Sequence, residues 1–250
     1  MLYLIGVGLA EGDISLRAME ACKHSLLFVE HHTSFISDEY LARIESLAGR
    51  KAKELERRDL EEKAGVLVEK AIKEDVALLC GGDPLMATTH KILFIEAKRL
   101  GVKVEVLHSS SILSAAIGES GLDFYKFGQV CTIPSWSEHY RPVSFYETIS
   151  RNFKNGLHSL VLLDFSPSGS SMPISDAMAV LEEAESHYKE GIASEGAKII
   201  VLHNISQQGE KRMFCTIGEA KGLELERGRT SIIIPAKLSE IESETIKSVY

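Results

Sequence analysis

Apolar positions recur along this chain in two rhythms. Short runs rich in β-branched residues at 2–7, 26–29, 76–80 and 102–107 alternate with segments whose apolar residues fall at helical spacing, the pattern of βα units around a parallel or mixed sheet. The first run leads into the turn Gly6-Val7-Gly8-Leu9-Ala10-Glu11-Gly12, after which the spacing predicts a helix capped by Asp13 with Ile14, Ala18, Ala21 and Cys22 on its apolar face. Residues 40–48 and 60–73 are helical by period, and the unbroken apolar run 76–80 suits a strand covered on both faces. Gly81-Gly82-Asp83-Pro84 ends that strand, a helix is expected to follow to about Leu100, and Ser111 is expected to cap a short helix through Ala116. This order sets residues 6–12, 81–86 and 109–112 at the carboxyl ends of successive strands, the edge at which open α/β sheets bind ligands.

The second half differs in texture. Runs at 160–163, 199–202, 213–217 and 231–234 predict strands, with helices near 145–153, 174–188 and 239–247. Strand content is higher and the alternation looser, which predicts a second α/β domain with a mixed sheet. The expected division is 1–109 and 110–250, both of the α/β class.

Composition narrows the picture. With 44% hydrophobic residues, six prolines in 250 positions and no low-complexity tract, order is expected almost throughout. A net charge of -8 argues against a general nucleic-acid binder, which needs a concentrated basic surface, and the basic pairs Arg50-Lys51 and Lys211-Arg212 are isolated. An acidic surface suits a basic partner and serves solubility equally. The cysteines, Cys22, Cys80, Cys131 and Cys215, lie far apart without a CxxC pair, so buried reduced thiols in a reducing cytosol are expected. Residues 1–8 lack a cationic leader, and no apolar stretch reaches the roughly 18 residues a membrane span needs. A soluble cytoplasmic protein with no membrane partner is expected.

Four constellations of residues invite a chemical reading. Gly6-Val7-Gly8, with Glu30 closing the second strand, imitates a dinucleotide fingerprint, but Glu11 stands where the third glycine belongs and Gly12 comes one residue late. Gly81-Gly82-Asp83-Pro84-Leu85-Met86-Ala87-Thr88-Thr89-His90 offers close backbone approach and a carboxylate for a ribose hydroxyl or an ammonium; a strand-to-helix turn capped by Asp83 explains the same residues. His31-His32 has no carboxylate or HxxxH spacing, and adjacent strand side chains point apart, so no metal site is expected. Ser111, Asp164 and His203 lack the GxSxG elbow of a hydrolase.

The segment from Gly81 to His90 resembles the GDPxxAT signature of the tetrapyrrole methylase family, and its longer form is similar to the GDPLxATTH of the diphthine synthases within it. The likeness extends through residues 2–9 with Asp13-Ile14-Ser15, Glu30 with Thr33-Ser34, and Ser111-Ile112 followed by Gly121-Leu122 and Tyr125-Lys126-Phe127-Gly128. Residues 142–146, 156–160 and 163–164 continue it. The chain departs from the pattern at His32, where tyrosine is usual, at Gly81, and in a helix after Ser111 that is one residue longer near Ile117.

This resemblance implies two α/β domains in a tetrapyrrole methylase-like fold, with S-adenosyl-L-methionine in the cleft between them, and a homodimer. By the same likeness the cofactor contacts are Leu9, Asp83, Met86, Ser111, Ile112, Leu163, His203 and Thr230, with the alignment loose around residues 166–171. The implied substrate is the amino group of a 3-amino-3-carboxypropyl-histidine on translation elongation factor 2, methylated to the trimethylated diphthine intermediate. The resemblance implies no particular residue as catalytic base. Trp136, His139, Tyr140 and Arg141, in a loop expected between the domains, fit either a mouth for that protein substrate or ordinary surface packing. A methylase of a tetrapyrrole or corrinoid precursor is the alternative, and a nucleotide-binding regulatory module is the reading without catalysis.

Overall fold

In the computed structural model, which describes all residues except 33–34 and 166–169, the apolar runs of the first half become parallel strands. They are β1 (Leu2–Gly6), β2 (Leu26–Glu30), β3 (Ala52–Leu55), β4 (Val76–Cys80) and β5 (Val104–Leu107), in the order β3-β2-β4-β1-β5. Helices α1 (Leu16–His24), α2 (Asp38–Ala48), α3 (Arg57–Glu61), α4 (Ala64–Lys73) and α5 (Lys91–Leu100) supply the covering layers. Alternation along the strands divides the core. Leu2, Leu4, Val76 and Leu78 pack with Leu60, Val68, Leu93 and Ala97, while Ile5, Val29, Ala77 and Leu79 pack with Ala18, Cys22 and Ile44. All five residues of β4 are buried, which is why that stretch carries no polar position.

Three local expectations are corrected. Asp13 does not cap α1; Ser15 does, its hydroxyl accepting the N–H of Ala18 at 3.1 Å. Residues 60–73 form two helices, with Lys63 between them in a non-helical conformation. The helix expected directly after Pro84 begins only at Lys91, leaving residues 83–90 as turns. The strand β3 escaped the sequence reading because it lies at a sheet edge, where Ala-Lys-Glu-Leu remains largely exposed and needs no apolar alternation.

Contacts divide the chain into one compact unit, Met1–Ile112, and a second that begins at Leu113 and includes Ser170–Tyr250. The second unit holds β6 (Cys131–Ile133), β7 (Ser159–Leu163), β8 (Lys198–His203), β9 (Lys211–Thr216) and β10 (Thr230–Ile234), ordered β6-β7-β10-β8-β9. β6 runs parallel to β7 and the other neighbours are antiparallel, giving a mixed sheet. Its helices are α7 (Ser144–Lys154), α8 (Ile174–Tyr188), α9 (Ile217–Lys221) and α10 (Glu240–Val249), and α6 (Ile112–Glu119) starts at the junction. One core joins Val161, Leu163, Ile199, Val201, Ile232 and Ile234 to Tyr146, Ile149, Met178 and Leu181 of α7 and α8. The expected strand at 213–217 ends at Thr216, which opens α9 through a reciprocal capping box with Glu219. All four cysteines are free; Cys22 and Cys80 are buried, and Cys131 and Cys215 only half-buried. Among the described residues no helix is long and apolar enough to cross a membrane.

The terminal helix is fixed by one buried carboxylate. Glu242, third residue of α10, accepts the Ser239 N–H at 2.7 Å, the Asp123 N–H at 3.1 Å, the His158 ring at 2.8 Å and the Lys126 ammonium. The Ala236 N–H donates to Nδ1 of His158 at 2.9 Å, so Nε2 carries the hydrogen that Glu242 receives. Burial pushes the Glu242 carboxyl up, but the donors from Lys126, Ser239, His158 and Asp123 outweigh it and hold the group far below its usual range. A depressed folded-state pKa contributes stability that is fully present above the ordinary carboxylate value and is lost as pH falls below it. Glu242→Ala should therefore cost about 3–5 kcal/mol at neutral pH in urea unfolding, because it strands the Lys126 charge and the other donors, and the deficit relative to wild type should shrink on acidification below about pH 4.5.

Candidate functional site

Three loops meet at the carboxyl edge of the first sheet, following β1, β4 and β5. Gly6 ends β1 where a β-carbon would lie 2.5 Å from the Gly82 carbonyl oxygen, 2.9 Å from Pro84 Cδ and 3.0 Å from Ser109 Cβ. Only glycine lets all three segments converge there. Two residues on, Gly8 and Gly82 exchange both peptide hydrogen bonds, at 3.1 and 2.9 Å, as an isolated antiparallel bridge, and both adopt positive φ, 82° and 69°. The loops after two parallel strands are thereby joined backbone to backbone.

Two carboxylates tie these loops to the one after β5. Asp13 accepts the N–H groups of Leu9 and Ala10, at 3.0 and 3.1 Å, and the Ser110 hydroxyl. Ser110 Oγ in turn accepts the Leu9 N–H at 2.9 Å, and the Ser109 hydroxyl donates to the Asp13 carbonyl at 3.0 Å. Burial pushes the Asp13 carboxyl up; hydrogen bonds from Ser110, Ala10 and Leu9 more than offset this and hold it below its ordinary value. Asp83 accepts the Leu85 N–H at 3.0 Å on one oxygen, and the His108 ring at 2.7 Å and the Ser109 N–H at 3.4 Å on the other. It is nearly buried, while the His108 side chain beside it is well exposed. The Tyr40 hydroxyl secures the remaining side, donating to the Val7 carbonyl at 3.0 Å and accepting the Ile14 N–H at 3.2 Å.

The site residues expected from sequence fall into two groups, one in each unit. Leu9, Asp83, Met86, Ser111 and Ile112 belong to this edge of the first unit: Leu9 and Ser111 are buried, Met86 is exposed, and Ile112 opens α6. Ala87, next to Met86, holds a left-handed φ of 54° without being glycine, a conformation that costs on the order of 1 kcal/mol and is retained where surrounding contacts impose it. Leu163, His203 and Thr230 share one edge of the second sheet: Thr230 faces His203 across β10 and β8, and β10 pairs with β7, which ends at Leu163. Thr230 Oγ1 lies 2.9 Å from His203 Nδ1, and burial, followed by the charge of Lys211, lowers the His203 pKa and favours its neutral ring. Thr33 and Ser34, and residues 166–169 of the loosely matched stretch, lie outside the described residues.

Sequence reasoning missed Asp13 and Ser110 as loop ties, since Asp13 looked like a helix cap. The signal was Ser15, which serves as the cap and frees Asp13. Trp136 and its neighbours lie between β6 and α7 within the second unit, not in a linker between domains. There the indole N–H donates to the Pro142 carbonyl at 3.1 Å, Arg141 stacks over the ring, and Tyr140 is exposed. Neither Asp83 nor Asp13 caps a helix, but Asp83 does cap its own turn by accepting the Leu85 N–H, and its other oxygen reaches the loop after β5.

Residues 1–221 match the family model of the Tetrapyrrole (Corrin/Porphyrin) Methylases. A diphthine synthase of Methanothermobacter thermautotrophicus is 49% identical over a stretch spanning 66% of this chain and 62% of that protein. A diphthine synthase of Methanocaldococcus jannaschii is 34% identical over 99% of this chain and 98% of its own length. A crystal structure of a diphthine synthase superposes with a TM-score of 0.88 at 29% identity, covering 99% of this chain and 95% of that one.

Crowding at Gly6 gives the site a direct test. Gly6→Ala is expected to destabilise the protein by about 1–3 kcal/mol, the usual cost of overpacking. Hydrogen exchange at the Gly8 and Gly82 amides should accelerate in parallel, measured by NMR or mass spectrometry.

Proposed function

Because the chain belongs to the tetrapyrrole methylase family, we propose that it is a diphthine synthase: a methyltransferase that uses S-adenosylmethionine to methylate the amino group of the 3-amino-3-carboxypropyl-histidine on translation elongation factor 2. The observation that carries this reading is the joined edge of the first sheet, where Gly8, Gly82 and Asp83 form one preset surface. A β-carbon on Gly82 would approach nothing nearer than the Ser110 carbonyl at 3.8 Å. Glycine there answers to the backbone conformation and leaves open space for a ligand to come close.

The residues suit the donor's chemistry. Asp83 keeps a spare lone pair on the oxygen that accepts the Leu85 N–H, open to a ribose hydroxyl or an ammonium, and Met86 and Leu9 offer apolar surface for a base. Ser111 and Ile112 are assigned contacts on the same edge, and Leu163, His203 and Thr230 are assigned contacts from the second unit. When bound, the donor supplies a methyl group already activated on a sulfonium. The protein's part is to hold and orient the partners and exclude water. We further assign the active form as a cytoplasmic homodimer without a nucleic-acid or membrane partner.

Methyl transfer to elongation factor 2 carrying the aminocarboxypropyl group, followed with labelled donor and mass spectrometry, tests the assignment. An acceptor gaining three 14 Da increments supports a trimethylated amine; a fourth shows that a carboxylate is also esterified. Transfer to a tetrapyrrole or corrinoid precursor, with none to the protein, overturns the reading.

Donor binding tests the role of Asp83 separately. Asp83→Ala is expected to weaken S-adenosylmethionine binding at least about tenfold in calorimetry, from loss of a charge-assisted hydrogen bond of about 1.5–3 kcal/mol. Unchanged affinity in a folded variant removes Asp83 from the set.

A further inference from the structure

His90 stands immediately before α5, where a short polar side chain ordinarily caps a helix. Its ring makes no such contact and is fully buried. Nδ1 lies 2.8 Å from the carbonyl oxygen of Pro84. A carbonyl only accepts, so Nδ1 carries the hydrogen. The Thr88 hydroxyl donates to the same carbonyl at 3.1 Å and accepts the His90 N–H at 3.4 Å. These contacts close a ring around residues 84–90, the stretch that stays non-helical and holds Ala87 at positive φ.

The other ring nitrogen faces Glu30. Nε2 lies 3.6 Å from Oε1 of this carboxyl and has no hydrogen-bond partner. Glu30 is also fully buried at the end of β2, where it accepts the His32 N–H at 2.9 Å. A bare lone pair set against a buried carboxylate is unfavourable, so the contact is attractive only with one proton between the two groups. Cys80 completes the cluster, with donor atoms of Glu30, Cys80 and His90 all within 4.8 Å. Its sulfur lies 3.8 Å from the Leu78 carbonyl and 3.7 Å from Nδ1 of His90, burial pushes its pKa well up, and the hydrogen on Nδ1 is directed to the Pro84 carbonyl at 2.8 Å. That chemistry suits a proton-linked contact over an apolar floor better than a cation site.

We propose that Glu30 and His90 are positioning residues for the donor loop: Glu30 orients the buried ring, and the ring holds Pro84, and with it Asp83, in the shape that receives the donor. This deepens the methyltransferase reading and rests on it.

Asparagine and glutamine separate the two contacts, since the Asn amide falls near the place of Nδ1 and the Gln amide near that of Nε2. His90→Asn, His90→Gln and Glu30→Gln are compared with wild type. Binding of S-adenosylhomocysteine is read by calorimetry, the donor KM and kcat by turnover, and loop opening by hydrogen exchange at the Leu85 amide. His90→Gln should weaken binding and raise the donor KM about tenfold, and speed Leu85 exchange similarly, with kcat within about twofold; His90→Asn should change each by less than about threefold. Equal effects of the two amides, or unchanged binding and exchange in both, overturn the proposal. Should the wild type take up no S-adenosylhomocysteine, the methyltransferase reading fails, while Leu85 exchange still decides whether His90 holds the loop. Should His90→Gln not fold, Glu30→Gln decides: about threefold faster exchange at Leu85 supports the proposal, and unchanged exchange overturns it.

Discussion

Two peptide hydrogen bonds between Gly8 and Gly82 set the terms for the carboxyl edge of the first sheet. β1 and β4 are parallel neighbours, and loops that follow such strands ordinarily diverge to their own helices. Here both chains turn through positive φ and pair once more, in the antiparallel sense, before leaving. With the bridge in place, Gly6 sits against Gly82 and Pro84 and Asp83 lies next to the loop after β5, while α5 begins only at Lys91, beyond the Thr88 and His90 contacts on the Pro84 carbonyl.

Converging loops bring peptide N–H groups together, and convergence alone would leave them competing for acceptors. Asp13 and Asp83 resolve the competition in the same way. Each carboxylate accepts backbone donors from its own loop and a donor from the loop after β5, the Ser110 hydroxyl in one case and the His108 ring with the Ser109 N–H in the other. An ionised carboxylate has about four lone-pair sites, more than any neutral side chain. Glu242 solves a like problem in the second unit, where one carboxylate draws α10, the Asp123 turn and His158 together. Net negative charge in this protein is partly the requirement for buried acceptors and not only a surface property.

The legible parts of the fold were those fixed by burial alone. The strand at 76–80 and the helix at 174–188 were recognisable because nearly every inward position is apolar, and α8 was placed at its observed limits. The edge strand β3 and the three-residue β6 carry too little apolar alternation to register, since their pairing is specified by neighbours distant in sequence. The site was legible as a set of glycines and one aspartate at strand ends. What those residues do to each other was not: that Asp13 faces Ser110, ninety-seven positions away, is a property of the closed sheet. His90 shows the same limit. Beside the helix start it looks like one more polar residue of a turn, and only the fold reveals it buried against Pro84 and Glu30.

A loop edge tied this tightly has an energetic consequence for binding. Ordering a flexible backbone costs roughly 1–2 kcal/mol per residue, so a ligand that had to organise even five or six residues here would forfeit most of a micromolar affinity, about 8 kcal/mol. The hydrogen bonds among the three loops meet that cost during folding, when the burial on both faces of the first sheet provides the driving force. Burial at this edge is divided in keeping with that. Asp83, Gly6, Gly8 and Gly82 are buried, while Met86 and the His108 side chain stand exposed at the rim. Exposed groups at this rim can then change without disturbing the buried ties that shape the edge.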